Sequence, residues 1–408
     1  MSMEKLNAAV GQSGGPTAAI NATLAGVIRG ALESEAIKTI YGMRNGIEGF
    51  LREDFVDLNA FFDTEDKIRT LENTPAAALG SCRKRLKKHS EDSETYARIL
   101  EILKKYDIRY FFYIGGNDSM DTVLKLSEYA KENDYEIRVI GVPKTIDNDL
   151  VATDHTPGFG SAAKFVATTV KEILRDVSVY TVKAVTIIEI MGRDAGWLTA
   201  SAALPFISGG QGPDLVYLPE KAFDIDRFIE DVKSAMDKHP AVLVAVSEGV
   251  RLQDGRYVGE AGTGAVDAFG HTQLSGASKV LEGIVKNRLG CKVRSVELNL
   301  PQRCASHIAS LQDITESVAT GRYAVRMAEE GRCAVMITIE RDEGENYSFH
   351  NSTADIATIA NAVKGVPDEY INEEANGITD MGLKYLAPLV LGEVYPEYEN
   401  GMPKHIVI

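Results

Sequence analysis

One arrangement recurs along the sequence: a short apolar run, then a polar turn containing glycine, then a segment with helical periodicity. Residues 6–10 lead into the turn at 11–16, and residues 17–32 follow with apolar side chains at helical spacing. A polar turn also follows the apolar runs at 109–114 and 136–142. Strands that alternate with helices form right-handed βαβ units, so the pattern predicts an α/β fold with largely parallel sheets.

Further apolar runs at 183–191, 215–218, 241–246, 293–298 and 333–339 predict more buried strands. This number of strands, in a chain of 408 residues, exceeds what one sheet holds comfortably. We therefore expect two doubly wound, Rossmann-like, three-layer α/β/α lobes with a cleft between them. The expected first lobe comprises residues 1–142 and, where the chain returns to it, about 260–330. The expected second lobe comprises residues 143–259. A C-terminal extension, 331–408, is expected to pack on the lobes.

Composition limits the partners of the chain. It carries 44 basic and 59 acidic side chains, a formal net charge of −15, whereas nucleic acids and anionic membranes attract cationic surfaces. The apolar runs are far too short to span a bilayer, and residues 1–5 lack the apolar segment of a signal peptide. The four cysteines form no C-x-x-C pair, which argues against a zinc site or a disulfide framework. We expect a cytoplasmic protein with no nucleic-acid or membrane partner.

Polar segments at 11–16, 115–119 and 143–149 each follow a predicted strand. One such glycine-rich segment indicates only a tight turn, but three at the carboxyl ends of parallel strands, two of them rich in Asp, favour a phosphate and metal site. The chain has no G-x-x-x-x-G-K-[ST] segment, and residues 11–16 do not match G-x-G-x-x-G. The P-loop class is therefore excluded, and a dinucleotide site is disfavoured.

The densest of these segments is Pro-Lys-Thr-Ile-Asp-Asn-Asp at 143–149. Asp and Asn are common turn formers, yet a lysine, a hydroxyl, an amide and two carboxylates exceed what a turn requires. A carboxylate held near a sugar hydroxyl can accept its proton while a phosphoryl group is transferred.

With these motifs in place, the sequence resembles the phosphofructokinase family across about residues 6–331. The matching motifs, in family order, are Ser-Gly-Gly (13–15), Gly-Ser-Cys-Arg (80–83), Gly-Gly-Asn-Asp-Ser (115–119), Lys-Thr-Ile-Asp-Asn-Asp (144–149), Thr-Pro-Gly-Phe-Gly (156–160), Met-Gly-Arg (191–193), Ser-Glu-Gly (247–249) and Pro-Gln-Arg (301–303). The resemblance implies phosphoryl transfer to the 1-hydroxyl of fructose 6-phosphate, a need for Mg²⁺, and a homodimer.

The resemblance also implies roles for individual residues. Asp147 would be the base that deprotonates the 1-hydroxyl, and Asp149 would support its loop. Gly14 and Arg83 would bind the donor phosphates. A pair of arginines, Arg294 and Arg303, would bind the sugar 6-phosphate, one of them from across a subunit interface. The other implied contacts to the sugar phosphate or the transferring group are Thr145, Ile146, Met191, Gly192, Arg193, Glu248, Leu300, Pro301 and Gln302.

The chain departs from the common family pattern at three positions near the donor. Asp118 and Lys144 stand where members that use ATP carry glycine, and this pair resembles the pyrophosphate-dependent members. A carboxylate at 118 would fill the space of an α-phosphate and repel it, whereas the Lys144 ammonium suits a short, highly charged donor. Asn117 replaces the usual Mg²⁺-binding Asp, so the metal contact is assigned to Asn117 or Asp118.

Several alternatives stay open at this point. The first is an ATP-dependent phosphofructokinase with unusual donor-loop residues. The second is a non-catalytic regulatory subunit that binds sugar phosphate, although such a subunit should have lost Asp147 or the donor loops. A dinucleotide-dependent oxidoreductase fits less well, because its glycine fingerprint is missing.

Overall fold

The computed structural model describes residues 5–259, 276–360 and 362–408. The strands, in chain order, are β1 (Leu6–Gln12), β2 (Ile37–Met43), β3 (Phe55–Asp57), β4 (Ile108–Gly115), β5 (Arg138–Pro143), β6 (Ala184–Ile190), β7 (Leu215–Tyr217), β8 (Ala241–Ser247), β9 (Lys292–Glu297), β10 (Val335–Arg341), β11 (Phe349–Asp355), β12 (Tyr398–Glu399) and β13 (Met402–Pro403).

The α-helices are α1 (Ile20–Glu33), α2 (Gly46–Leu51), α3 (Leu58–Phe61), α4 (Glu65–Glu72), α5 (Ser93–Lys105), α6 (Asn117–Glu132), α7 (Phe159–Val177), α8 (Trp197–Ser201), α9 (Ile225–Met236), α10 (Ala277–Leu289), α11 (Leu311–Glu329) and α12 (Asp380–Leu386). Short 3-10 helices lie at Leu204–Gly209, Leu300–Arg303, Ser306–Ile308, Ile356–Thr358, Asp368–Tyr370 and Ala387–Val390.

A seven-stranded sheet in the order β11-β10-β5-β4-β1-β2-β3 forms the centre of the first lobe. Its five inner strands are parallel, and the two edge strands pair antiparallel to their neighbours. Successive side chains of a strand point to opposite faces, so Phe111 packs in the core with α5 and α6 while Phe112 packs in the core with α1 and α11. The lobe is therefore a three-layer α/β/α sandwich.

The second lobe has a four-stranded parallel sheet in the order β7-β8-β6-β9. Ile188 and Ile190 of β6 pack toward α7 and α8, whereas Val185 and Ile187 pack toward α9 and α10. The buried strands are almost entirely apolar, as expected where helices cover both faces of a parallel sheet. The two layered sheets confirm the predicted fold class.

The structure corrects two of the expected lobe boundaries. β9 pairs in parallel with β6, and α10 is the crossover helix before it, so residues 277–297 belong to the second lobe. Among the described residues beyond 276, the chain returns to the first lobe only with α11. β10 pairs with β5, so residues 335–355 complete the first sheet and do not merely pack on its surface. Periodicity located the strands, but the choice of sheet depends on non-local pairing.

Within the described ranges, no helix is both long enough and apolar enough to cross a membrane. All four cysteines, Cys82, Cys291, Cys304 and Cys333, are unpaired thiols. The cytoplasmic location stays a prediction.

Candidate active site

A cavity of about 470 Å³ lies where the carboxyl ends of β1, β4 and β5 face those of β6 and β8. Parallel strands place the loops that follow them at one edge of a sheet, which is why distant polar motifs meet here. Twelve of the predicted site residues line this cavity: Gly14, Arg83, Asn117, Asp118, Lys144, Thr145, Ile146, Asp147, Met191, Arg193, Glu248 and Arg303. The structure thus brings these motifs together at one cavity, and the roles of the individual residues stay predictions.

The loop after β1 forms one wall of the cavity. Gly14 has a φ of 78°, which an L side chain rarely adopts, and its backbone N–H donates to the Cys82 carbonyl oxygen over 3.1 Å. A Cβ at Gly14 would lie 3.3 Å from the Lys144 Nζ. Glycine thus lets the backbone of this loop approach the lysine closely.

The Lys144 side chain is only 2% exposed, and its Nζ donates to the Gly15 carbonyl oxygen over 2.6 Å. Burial lowers its pKa to about 8, and the guanidinium groups of Arg303 and Arg83 contribute in the same direction. The ammonium is thus held in a site that disfavours its charge and that an anion would stabilise.

Asp147 lies in the loop after β5, which is held by local hydrogen bonds. Its backbone N–H donates to the Thr145 Oγ1 over 3.1 Å, and the Asn148 Oδ1 accepts from the Thr156 N–H over 3.1 Å. Burial raises the pKa of Asp147 well above its ordinary value, and the nearby carboxyl groups of Asp149 and Glu248 raise it further. A carboxylate with a raised pKa is a stronger base, which suits proton abstraction at neutral pH.

The opposite wall comes from the turns after β6 and β8. The Gly192 N–H donates to the Glu248 Oε1 over 3.2 Å, and burial raises the pKa of Glu248 to about 7. The Arg193 Nε is buried and has no hydrogen-bond partner among the described residues. A guanidinium with an unsatisfied donor in a polar cavity is suited to an anion such as a phosphoryl group.

In the Pro-Gln-Arg motif (301–303), Gln302 supports a neighbouring turn and Arg303 lines the cavity. Gln302 is 1% exposed, and its Oε1 accepts from the Met191 N–H over 3.1 Å, so it braces the neighbouring turn. Arg303 faces the donor loop, with its Nη1 3.2 Å from where a Cβ on Gly15 would lie. Burial lowers the pKa of Arg303, and Arg83 adds to this effect.

The structure does not bring all the predicted residues to the cavity of the same chain. Gly192 is buried, and Leu300 and Pro301 are exposed; none of the three lines the cavity. Arg294 lies on β9, exposed, where it lines a separate small cavity with residues at the start of β6.

Asn117 and Asp118 begin α6 at the donor side. The Asn117 Nδ2 donates to the Ala362 carbonyl oxygen over 2.7 Å, which leaves its buried Oδ1 without a partner among the described residues. Asp118 lies 3.9 Å from the Arg85 guanidinium. Within the described part of the chain, no three acidic, histidine or cysteine side chains form a metal cluster. Mg²⁺ often binds through one or two protein oxygens and substrate phosphates, so Asn117 and Asp118 fit it.

Five cavity residues lie outside the motifs and site residues predicted from the sequence: Thr17, Arg85, Asp194, Ala195 and Val363. Arg85 belongs to the basic run that begins at Arg83, and this run could have indicated from the sequence that Arg85 lies near the donor. Val363 comes from the C-terminal extension, and no local pattern indicates that this segment reaches the cavity.

Comparison with known proteins agrees with this geometry. The Phosphofructokinase family profile matches residues 7–326. The chain is 41% identical to the pyrophosphate–fructose 6-phosphate 1-phosphotransferase of Halomonas elongata over 98% of this chain and 96% of that protein. For the protein of the same name from Xanthomonas campestris pv. campestris, the identity is 43% over 97% and 94%. The crystal structure of a pyrophosphate-dependent phosphofructokinase from Nitrosospira multiformis has a TM-score of 0.88 at 40% identity, covering 98% of this chain and 95% of that one. The chain therefore belongs to the phosphofructokinase family.

Proposed function

We propose that this protein transfers a phosphoryl group reversibly from pyrophosphate to the 1-hydroxyl of fructose 6-phosphate, which yields fructose 1,6-bisphosphate and phosphate. The observation that carries the proposal is the carboxyl group of Asp147, which has a raised pKa and lines the same cavity as Lys144, Arg193 and Arg303. The names of the relatives at about 40% identity support both the donor and the acceptor.

In the proposed reaction, Asp147 accepts the proton of the 1-hydroxyl as the sugar oxygen attacks a phosphorus atom of pyrophosphate. The new C–O–P bond forms while the P–O–P bond breaks, and the departing phosphate keeps the electron pair of that bond. Lys144 and Arg193 stabilise the charge on the transferring group, with Thr145 beside it. The bonds broken and formed are similar in energy, so the reaction should run in both directions.

We assign Mg²⁺ to the Asn117 Oδ1 and the Asp118 carboxylate. The support is the buried amide oxygen of Asn117, which lacks a hydrogen-bond partner among the described residues, and the acidic neighbour at the same cavity wall. A bound Mg²⁺ neutralises charge on phosphate oxygens and thereby lowers the barrier to attack.

For the acceptor, we assign the sugar hydroxyls to Met191 and Glu248 and the 6-phosphate to Arg303. Arg294 lies away from the cavity of its own chain, on an exposed position of the edge strand β9. This placement supports a homodimer in which Arg294 of one protomer completes the 6-phosphate site of its partner.

For the donor, we assign selectivity for pyrophosphate to Asp118 and Lys144. Asp118 occupies the cavity wall beside Arg85, where a longer donor would have to pass a carboxylate. Lys144 presents a single charge at the bottom of the donor loop. Pyrophosphate gains from the ammonium and does not extend as far as ATP.

The test compares catalytic efficiency with pyrophosphate and with ATP, in the presence of fructose 6-phosphate and Mg²⁺. The wild type should strongly prefer pyrophosphate. Asp118→Gly should allow weak ATP use, and the additional replacement Lys144→Gly should increase the ATP-to-pyrophosphate ratio further. Asp118→Asn is the matched control, because it keeps the volume and removes the charge. A wild type that prefers ATP would contradict the donor assignment.

A further inference from the structure

We propose that residues 362–364 of the C-terminal extension form a bridging segment that positions the active site, with Lys364 as the positioning residue for the loop that carries Asp147. The inference rests on the proposed function and assigns a role to a part of the chain outside the matched family region, which ends at residue 326.

Lys364 binds the chain on the C-terminal side of Asp147 at several points. Its backbone N–H donates to the Asp149 carbonyl oxygen over 2.8 Å. Its Nζ donates to the carbonyl oxygens of Thr153 and Asp154 over 3.0 and 2.7 Å. One residue therefore fixes both ends of the turn that follows Asp147.

The other side of Lys364 is anchored to the second lobe. Its carbonyl oxygen accepts from the Trp197 Nε1 over 2.9 Å, and its Nζ lies 5.4 Å from the centre of the Trp197 ring. Two residues further on, the Val366 N–H donates to the Glu220 Oε1, which also accepts from the Gly196 N–H, each over 2.8 Å. The turn after Asp147 is thereby held against a buried aromatic side chain.

The same segment reaches the donor side of the cavity. The Ala362 carbonyl oxygen accepts from the Asn117 Nδ2, and Val363, between Ala362 and Lys364, lines the cavity itself. Three consecutive residues thus contact the donor loop, the cavity and the Asp147 loop. The distance between the donor loop and the Asp147 loop therefore depends on this one short segment.

The charge of Lys364 also favours a functional role. Burial lowers its pKa to about 8, against the opposing effect of the carboxylates of Asp154 and Asp149. A neutral side chain of similar length would avoid this desolvation cost while the backbone contacts remained. Its hydrogen bonds and its charge hold the turn beside Asp147 in the reactive geometry.

The test is Lys364→Met, which keeps the side-chain stem and the backbone contacts but removes the ammonium. We expect kcat to fall about 10- to 100-fold, because small displacements of a reacting group have effects of that order, while KM for both substrates stays within about threefold. Lys364→Arg should recover part of the loss, because it restores the charge and the donors. The matched control is Lys221→Met, which breaks an exposed ion pair of 2.9 Å with Asp368 of the same extension and should leave kcat unchanged.

Amide hydrogen exchange gives a readout that does not depend on activity. Lys364→Met should increase exchange in the peptide that covers residues 144–156, and Lys221→Met should not. If Lys364→Met does not fold, Lys364→Gln takes its place, with the same expectations. Unchanged kcat and exchange in the neutral variant, or an arginine variant no better than the methionine variant, would overturn this inference. Absence of pyrophosphate-dependent turnover in the wild type would contradict the proposed function, and the exchange comparison would still decide on the bridging segment.

Discussion

The pH dependence of pyrophosphate use should report the charge of Lys144. Burial lowers the pKa of this lysine to about 8, and kcat/KM reflects ionisations of the free enzyme and the free substrate. With that pKa, the charged fraction falls about tenfold between pH 7 and pH 9, from roughly 0.9 to roughly 0.1. We therefore expect the loss of this charge to lower kcat/KM for pyrophosphate about tenfold between pH 7 and pH 9, because a neutral amine no longer attracts the donor anion.

Lys144→Met removes the charge at every pH. A hydrogen bond to a charged group contributes about 1.5–3 kcal/mol, so kcat/KM near pH 7 should fall roughly 10- to 150-fold.

The same replacement should change the stability of the protein. The folded state binds the Lys144 proton less tightly than the unfolded chain does, at a cost of about 3 kcal/mol for a pKa lowered from 10.5 to about 8. This cost is fully present below pH 8 and disappears as the pH rises toward 10.5. The replacement should therefore raise the free energy of unfolding most at neutral pH.

The assay measures initial rates of fructose 1,6-bisphosphate formation between pH 6.5 and 9.5, at saturating fructose 6-phosphate and Mg²⁺. The ratio of kcat/KM in the wild type to that in Lys144→Met cancels the ionisation of pyrophosphate itself. This ratio should fall as the pH rises through 8, by about tenfold between pH 7 and pH 9, because only the wild type loses the charge of Lys144. A ratio that does not change across the whole range would refute the reasoning, as would a variant that is markedly less stable than the wild type.

Three further outcomes are expected. Asp147→Asn should lower kcat by about 10²- to 10⁴-fold with little change in either KM, since base catalysis contributes to that extent, and near-normal turnover would remove Asp147 from the mechanism. Mixed Arg294→Ala and Asp147→Asn chains should regain activity that neither variant has alone, because one site of the hybrid dimer is intact; no recovery after exchange of subunits would contradict the shared site. Asn117→Asp should lower kcat/KM for pyrophosphate about tenfold, because a carboxylate oxygen would face the Ala362 carbonyl at hydrogen-bond distance and cost on the order of 1–3 kcal/mol. Titration with Mg²⁺ checks this last result, and a higher efficiency after that replacement would show that the Asn117 amide does not serve to bind the bridging segment.

Eight of the described strands, β1 and β4 to β10, could be predicted from the sequence because each coincides with a short apolar run. β4, for example, was expected at 109–114 and spans Ile108–Gly115. β2 at Ile37–Met43 and helix α11 were not predicted, since their apolar residues are interleaved with polar ones in patterns that match neither period well. The buried face of α11 includes Glu316, Ser317 and Thr320, which only its tertiary neighbours explain.

Local sequence also determined most of the cavity lining. The loops after β1, β4 and β5 meet because parallel strands in one sheet end at the same edge, which follows from the βαβ rhythm alone. The motif at 144–149 therefore indicated both the place and the chemistry of the site.

Only the tertiary structure decided which sheet β9 joins, that Arg294 lies away from the cavity of its own chain, and how Lys144 and Asp147 acquire their shifted pKa values. It also brought Lys364 from the C-terminal extension to the turn after Asp147, more than 200 residues earlier in the chain. The physical reason is common to all four. Periodicity and turn chemistry are properties of neighbouring residues, whereas strand pairing, desolvation and long-range hydrogen bonds depend on which distant segments are excluded from water together.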